Sequence, residues 1–216
     1  MLKAIGFWIE GLDDEEFPAP QEFVGPLPSD TRSRMVRYLD AGVTFETYRG
    51  YSWCRFSCGV ALSHMGSRHL TDGTWLWPEG LSHYVKHHEV ILPEDFMTHA
   101  QIGSPPRHAP QSEEIDSSFW IQWCAPRRSP SFLERLRPAR HAAELIVAEA
   151  KRKHIEALIL RRGLSEAHCL WRGCRQVALA GMSVCAEHSL SPGDYAIFKQ
   201  ATYTGFAEAL QRASKA

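Results

Sequence analysis

A chain of 216 residues, 44% hydrophobic and 23% charged, is long enough to bury a core as one large domain or two small ones. It carries no apolar run near the ~18 residues that span a bilayer. Glu10, Asp13 and Asp14 follow the apolar start too soon for the h-region of a signal peptide. The expected location is cytoplasmic, where clustered cysteines mark metal sites more often than disulfides. The net charge of −1 hides a split: residues 1–126 hold 9 Lys/Arg against 17 Asp/Glu, and residues 127–216 hold 15 against 8. Either the halves neutralise each other across an internal interface or the basic half faces nucleic acid.

Residues 2–9, rich in Ile, Phe and Trp, predict a first strand. Residues 13–30, acidic and carrying Pro18, Pro20, Pro26 and Pro28, predict a loop. Ser29 or Asp30 can cap a helix through Met35, Val36 and Leu39, closed by a left-handed Gly42. Residues 43–56 predict one strand, or a hairpin bent at Gly50. Gly66 to Asp72 reads as a connection, Thr71-Asp72-Gly73 as a turn, and Thr74 to Trp77 as a short strand. Pro78 opens a helix to about His88, and a second short helix follows Pro93. Residues 101–130, with Pro105, Pro106 and Pro110, read as a linker or crossing loop between a 1–100 domain and a 131–216 helical region. Ser131-Phe-Leu-Glu134 has the form of a capping box, and Pro138 should break or restart the helix that Gly163 ends. Ser191-Pro192-Gly193-Asp194 starts the last helix. The predicted fold is α+β: a small mixed sheet with short helices, then a helical C-terminal region clipped by a zinc knuckle.

The strongest chemical signal lies near the C-terminus. Cys169, Cys174, Cys185 and His188 are spaced C-x4-C-x10-C-x2-H. Structural zinc takes four tetrahedral sulfur or nitrogen ligands, and two close pairs on tight turns supply them. Gly173 and Gly181 loosen the backbone beside and between the pairs, and Val177, Ala178, Leu179, Met182 and Val184 can cover the ion. The segment resembles short zinc knuckles of the form CxxxGC…CxxH, which serve as structural clips or recognition modules. The expected cofactor is therefore structural zinc. His168 is a spare ligand, more simply a bystander beside Cys169.

The strings YRGYSWCRFSCG, LTDGTWLWPEGLSHYVKHH and LPEDF make the central segment distinctive. They resemble an uncharacterised bacterial family with the pattern SWCRFCG…LTDG.W.WPEGL.HYV, over residues 49–99. That resemblance implies a bacterial origin and a compact α+β unit, and no activity. Ser57 departs from it by separating Phe56 from Cys58. Cys54 and Cys58 can join a histidine of the 78–88 helix in a second metal site. At about 100° per residue, Leu81, Tyr84, Val85 and His88 share one face and His83 and His87 lie roughly opposite. Only His88 then points toward the strands, so the candidates are Cys54, Cys58 and His88, and a full four-ligand site is not expected.

Three functions compete. The favoured one is a non-enzymatic, zinc-stabilised bacterial protein that recognises another macromolecule, a protein ahead of nucleic acid and not a membrane, as defence or immunity proteins do. The second is a hydrolase or nuclease using the segment 64–88, with His64, His69, Asp72, Glu79, His83 and His87 as acids and bases and Trp75 and Trp77 as walls. No phosphate loop, GxSxG elbow or HExxH motif supports it. The third is a nucleic-acid-binding regulator using the basic 127–175 region, with Arg152, Lys153, Arg172 and Arg175 as contacts and Trp171 as a stacking surface. Against the third, Glu149 and Lys153 stand at the spacing of an intrahelical ion pair.

Overall fold

The computed structural model describes residues 1–9, 17–56, 58–103, 105, 108–110 and 114–215. Ser57, the acidic residues 10–16 and Pro106 lie outside the described residues. The chain forms two compact units, Met1–Arg137 with Leu210–Ala216, and Pro138–Ala209.

The first unit is α+β. Its elements in chain order are β1 (Leu2–Ala4), α1 (Ser29–Asp40), β2 (Val43–Thr47), β3 (Arg68–Thr71), β4 (Trp75–Pro78), α2 (Leu81–His88), α3 (Glu94–Ile102), β5 (Ile115–Asp116) and α4 (Ser118–Cys124), followed by the start of α5 (Pro130–Arg162). The strands form one mixed sheet in the order β2-β3-β4-β1-β5. β1 runs parallel to both its neighbours, and β2, β3 and β4 are antiparallel. α1 packs against α2 and α3. The core is aromatic: Trp77, Trp120, Phe23 and Phe96 are fully buried, with Trp8, Trp75 and Tyr84 nearly so. Two buried indole N–H groups find carbonyls, Trp77 donating to Leu39 at 3.2 Å and Trp120 to Phe7 at 2.7 Å, whereas those of Trp8 and Trp75 have no hydrogen-bond partner among the described residues.

Several local expectations are corrected. Gly66 to Asp72 is not a plain connection: β3 lies inside the sheet, because Leu70 and Thr71 are buried between two strand neighbours despite the polar Arg68 and His69. Residues 43–56 form β2 and then an irregular loop, with Gly50 at φ 103°, and no hairpin closes at Gly50. Pro78 ends β4 opposite His69 instead of opening α2. The stretch 101–130 carries β5 and α4, and its Trp120 and Cys124 are fully buried. α5 runs through Pro138, and the division between the units falls there. Gly42 is not left-handed, since α1 closes on Ala41, whose N–H bonds back to Arg37.

The second unit holds the rest of α5, the hairpin β6 (Leu164–His168) and β7 (Val177–Leu179), and most of α6 (Pro192–Lys215). Gly163 ends α5 at φ 78°, as its sequence position predicts. Ser191 and Asp194 cap α6 reciprocally, each accepting the other's backbone N–H at 3.2 and 2.7 Å. Lys151 pairs with Glu187 at 2.9 Å and His154 with Asp194 at 3.0 Å, tying α5 to the segment after the hairpin.

The role of Gly42 is close approach: a Cβ there would lie 2.5 Å from Trp77 Cζ2 and 3.0 Å from Leu70 Cβ. Because Trp77 is buried and its indole is bonded, it cannot yield. Gly42→Ala should therefore cost about 1–3 kcal/mol in urea unfolding, the usual penalty for overpacking. An unchanged midpoint would show that the ring moves freely.

Candidate metal centres

The two ligand sets are assembled by different means. Cys54 and Cys58 sit on the irregular loop after β2, and His83 and His88 on α2. The loop is pinned to the helix by the buried Tyr84 hydroxyl, which accepts the Arg55 N–H at 3.0 Å and donates to the Trp53 carbonyl at 3.2 Å. The Arg55 guanidinium, itself buried, donates to the Trp53 carbonyl at 2.8 Å and lies 4.6 Å from the Trp53 ring. Phe56 stacks on His88 with centroids 4.0 Å apart, fixing the imidazole plane. The Phe56 N–H points at Cys54 Sγ from 3.4 Å and favours its thiolate.

In the second unit, Cys169 directly follows β6, Cys174 follows a turn at Gly173 (φ 80°), and Cys185 and His188 lie beyond a turn at Gly181 (φ 75°). The turns are closed by backbone bonds: Cys174 N–H to Trp171, Cys169 N–H to Gln176 and Leu170 N–H to Ser183, each at 2.9 Å. Cys169 and Cys185 are buried, and Cys174 and His188 are half-buried. The Trp171 ring stacks on His188 at 4.8 Å and 10°.

Both sets could hold a metal ion: in each, one ligand atom from every residue lies within 4.8 Å of the other three. A tetrahedral ion with sulfur bonds of about 2.3 Å and nitrogen bonds of about 2.05 Å sets its ligands about 3.8 Å apart for S–S, about 3.6 Å for S–N and about 3.3 Å for N–N. Cys58 Sγ to His83 Nε2 is 3.6 Å, Cys54 Sγ to His88 Nε2 is 3.3 Å, and the two Nε2 atoms are 3.1 Å apart. In the second unit, Cys169 and Cys185 Sγ are each 3.3 Å from His188 Nδ1, and Cys174 and Cys185 Sγ are 3.9 Å apart. The spacings match a tetrahedron to within a few tenths of an ångström.

Burial, then the neighbouring His87 and His64, hold His83 down at about 4. Burial, then His83 and His87, do the same for His88. Both rings are therefore neutral at pH 7, with a lone pair to offer. Burial pushes the Cys54 thiol up to about 12, against the Phe56 N–H and helped by Cys58. Cys169 differs: burial raises it, but backbone groups of Cys185 and Trp171 and the His188 ring outweigh that and bring it to about 6. Cys174 is lowered by a Gln176 backbone bond, yet desolvation and the sulfurs of Cys169 and Cys185 leave it above the usual thiol range.

The remaining sequence candidates are dispersed. His83 is the member of the first cluster that sequence reasoning misses, because periodicity puts it on the solvent face with His87; it is half-buried and reaches Cys58 while His87 stays exposed. The signal available was spacing, with H-x4-H answering C-x3-C. Asp72 is buried and accepts from Tyr38 at 2.8 Å and from the Thr74 and Trp75 N–H groups at 2.8 and 2.7 Å, with His99 at 3.1 Å. Glu79 pairs with Arg68, His69 packs on Phe7 and Tyr48, and Trp75 and Trp77 are core residues. His64 is exposed, and His168 is exposed outside the cysteine set. Arg152 pairs with Glu149 and Glu156, and Lys153 with Glu149, whereas Arg172 and Arg175 are exposed. Among the described residues, no helix is long and apolar enough to cross a membrane. Comparison with protein-family models, curated proteins and solved structures finds no match.

Elemental analysis with native mass should find two metal ions per chain. His83→Ala and Cys174→Ser should each lose one, and His87→Ala none; loss with His87→Ala but not His83→Ala would reverse the assignment. Because an ion must displace the Cys54 proton, affinity at the first site should rise with pH, about tenfold per unit for each proton released. Competition with a chromophoric chelator at pH 6, 7 and 8 measures this, and a flat profile would contradict it.

Proposed function

We propose that both centres hold structural zinc and that the protein is a non-enzymatic module for recognising another macromolecule. The observation that carries this is closure: each set offers four protein ligands, leaving no corner of a tetrahedron for water or substrate. Mixed thiolate and imidazole donors at tetrahedral spacing suit zinc over harder cations. The engagements of Asp72, Glu79, Trp75 and Trp77 also support the reading, because the residues a hydrolytic site would need serve the fold instead.

Cobalt substitution tests closure. The cobalt protein should show the intense ligand-field absorption of tetrahedral thiolate sites, unchanged by added azide or cyanide. A spectrum that shifts with azide would reveal an open position and favour a catalytic centre. Cys174→Ser should also abolish hydrogen-exchange protection over residues 165–190, since structural zinc contributes folding free energy directly. Retained protection would mean that the knuckle folds without its metal.

A further inference from the structure

The ionic partners in the second unit are unevenly distributed. Glu149, Glu156, Glu187 and Asp194 are all engaged, by Lys151, Arg152, Lys153 and His154. Residues 161–176 contain four arginines against the single acid Glu166. Arg161, Arg162, Arg172 and Arg175 are exposed and have no ion-pair or hydrogen-bond partner among the described residues. An unpaired guanidinium supplies its full charge and planar fork to a phosphate, whereas one already clamped between carboxylates must first be released.

Trp171 stands among these cations. Its side chain is large and apolar, yet the residue is 59% exposed. One ring face lies parallel to His188, so the indole is held by a metal ligand and its other face is free. Arg172 is the second residue of the Trp171–Cys174 turn, and Arg175 follows directly; the whole loop is closed by the Cys169–Gln176 backbone bond. One aromatic platform and two free cations are thus confined to a loop of a few residues. Arg161 and Arg162 place two more at the other end of the hairpin that carries it.

We infer that this loop binds single-stranded nucleic acid, with a base stacked on the outer face of Trp171 and Arg172 and Arg175 on the flanking phosphates. The inference rests on the recognition reading above and names its partner class. Stacking needs an unpaired base, because in a duplex the base faces are covered. An acidic protein surface could pair with the arginines, but a single strand supplies both the anionic groups for them and a flat ring for the tryptophan in one repeating unit.

The test uses the full zinc-loaded chain with fluorescent oligo(dT), oligo(rU) and a duplex of the same length. Single strands should bind better than the duplex, with affinity falling as salt rises. Arg172→Ala/Arg175→Ala should flatten the salt dependence by roughly 0.7 in logarithmic slope for each arginine. Trp171→Leu should weaken single-strand binding on the order of tenfold, with zinc content unchanged; Trp171→Phe, which keeps a ring against His188, should weaken it less. Equal affinity for duplex, or variants that bind as wild type, overturns the inference. No strand binding by a chain that holds both ions also overturns it, assigns the loop to a protein partner and leaves the structural-zinc reading standing. A chain that holds no zinc overturns that reading instead.

Discussion

Atoms that share one small ion must lie within about 4 Å of each other, and a folded chain seldom brings four sulfur and nitrogen atoms so close without a reason. Thiols and imidazoles packed together gain little in direct contact, and burial penalises their charged forms. The fold nevertheless builds that proximity twice, by unrelated routes. In the first unit it is long-range, with a loop carried over α2 and fixed by the Tyr84 hydroxyl between Trp53 and Arg55. In the second it is local, with two turns and a two-stranded hairpin inside about twenty residues.

A bound ion would carry different weight in the two units. The first has a broad aromatic core in which Trp8, Phe23, Tyr84 and Trp120 pack edge-on or tilted against one another. Burial on that scale stabilises a sheet domain by itself. The buried residues described in the second unit are mostly small: Ala178, Ala186, Ala207 and Ala209 beside Leu179, Leu190 and Phe206. A core of that size leaves a small unit marginal, and a metal is the usual remedy. An ion in the first centre would therefore fix a loop on an existing fold, while one in the second would hold its own segment together.

Much of this was legible in the sequence, for reasons that vary by element. The C-terminal ligands are readable because their spacing is itself the geometry: turns of fixed length bring the pairs together whatever surrounds them. α2, α6 and the Gly163 stop are readable because their signals are local caps and apolar periodicity. β3 and β6 are hidden because they carry polar residues, and their strand state comes from pairing with neighbouring strands instead of from their own composition. Gly42 shows the same limit, since its small size answers to Trp77, and only the fold supplies that contact. His83 is hidden more instructively. Helical periodicity sorts side chains by the apolar face, and on that criterion His83 belongs with solvent. The Cys54–Cys58 loop covers the polar flank of the helix, and only a non-local contact turns that flank into an interior.

The charge split of the sequence also takes on a finer meaning. As a sum over halves it suggested either mutual neutralisation or a nucleic-acid surface. Resolved residue by residue, the cations of the C-terminal half fall into two groups. Along α5, Lys151 is matched by Glu187, and Arg152 and Lys153 by carboxylates one turn away, so they add little to the field beyond the surface. The arginines around the hairpin have no such match among the described residues. An unpaired exposed charge is fully hydrated and costs the fold little, so stability gives no reason to place four together or to leave a tryptophan exposed among them. A divalent ion held by three thiolates and one imidazole is net negative, so Arg172 and Arg175 would also favour the loaded centre electrostatically; Arg161 and Arg162, at the other end of the hairpin, are less placed to do so. The ligand proposed above, anionic, carrying flat apolar surfaces and meeting the loop from outside, would use the arginines and the exposed tryptophan together.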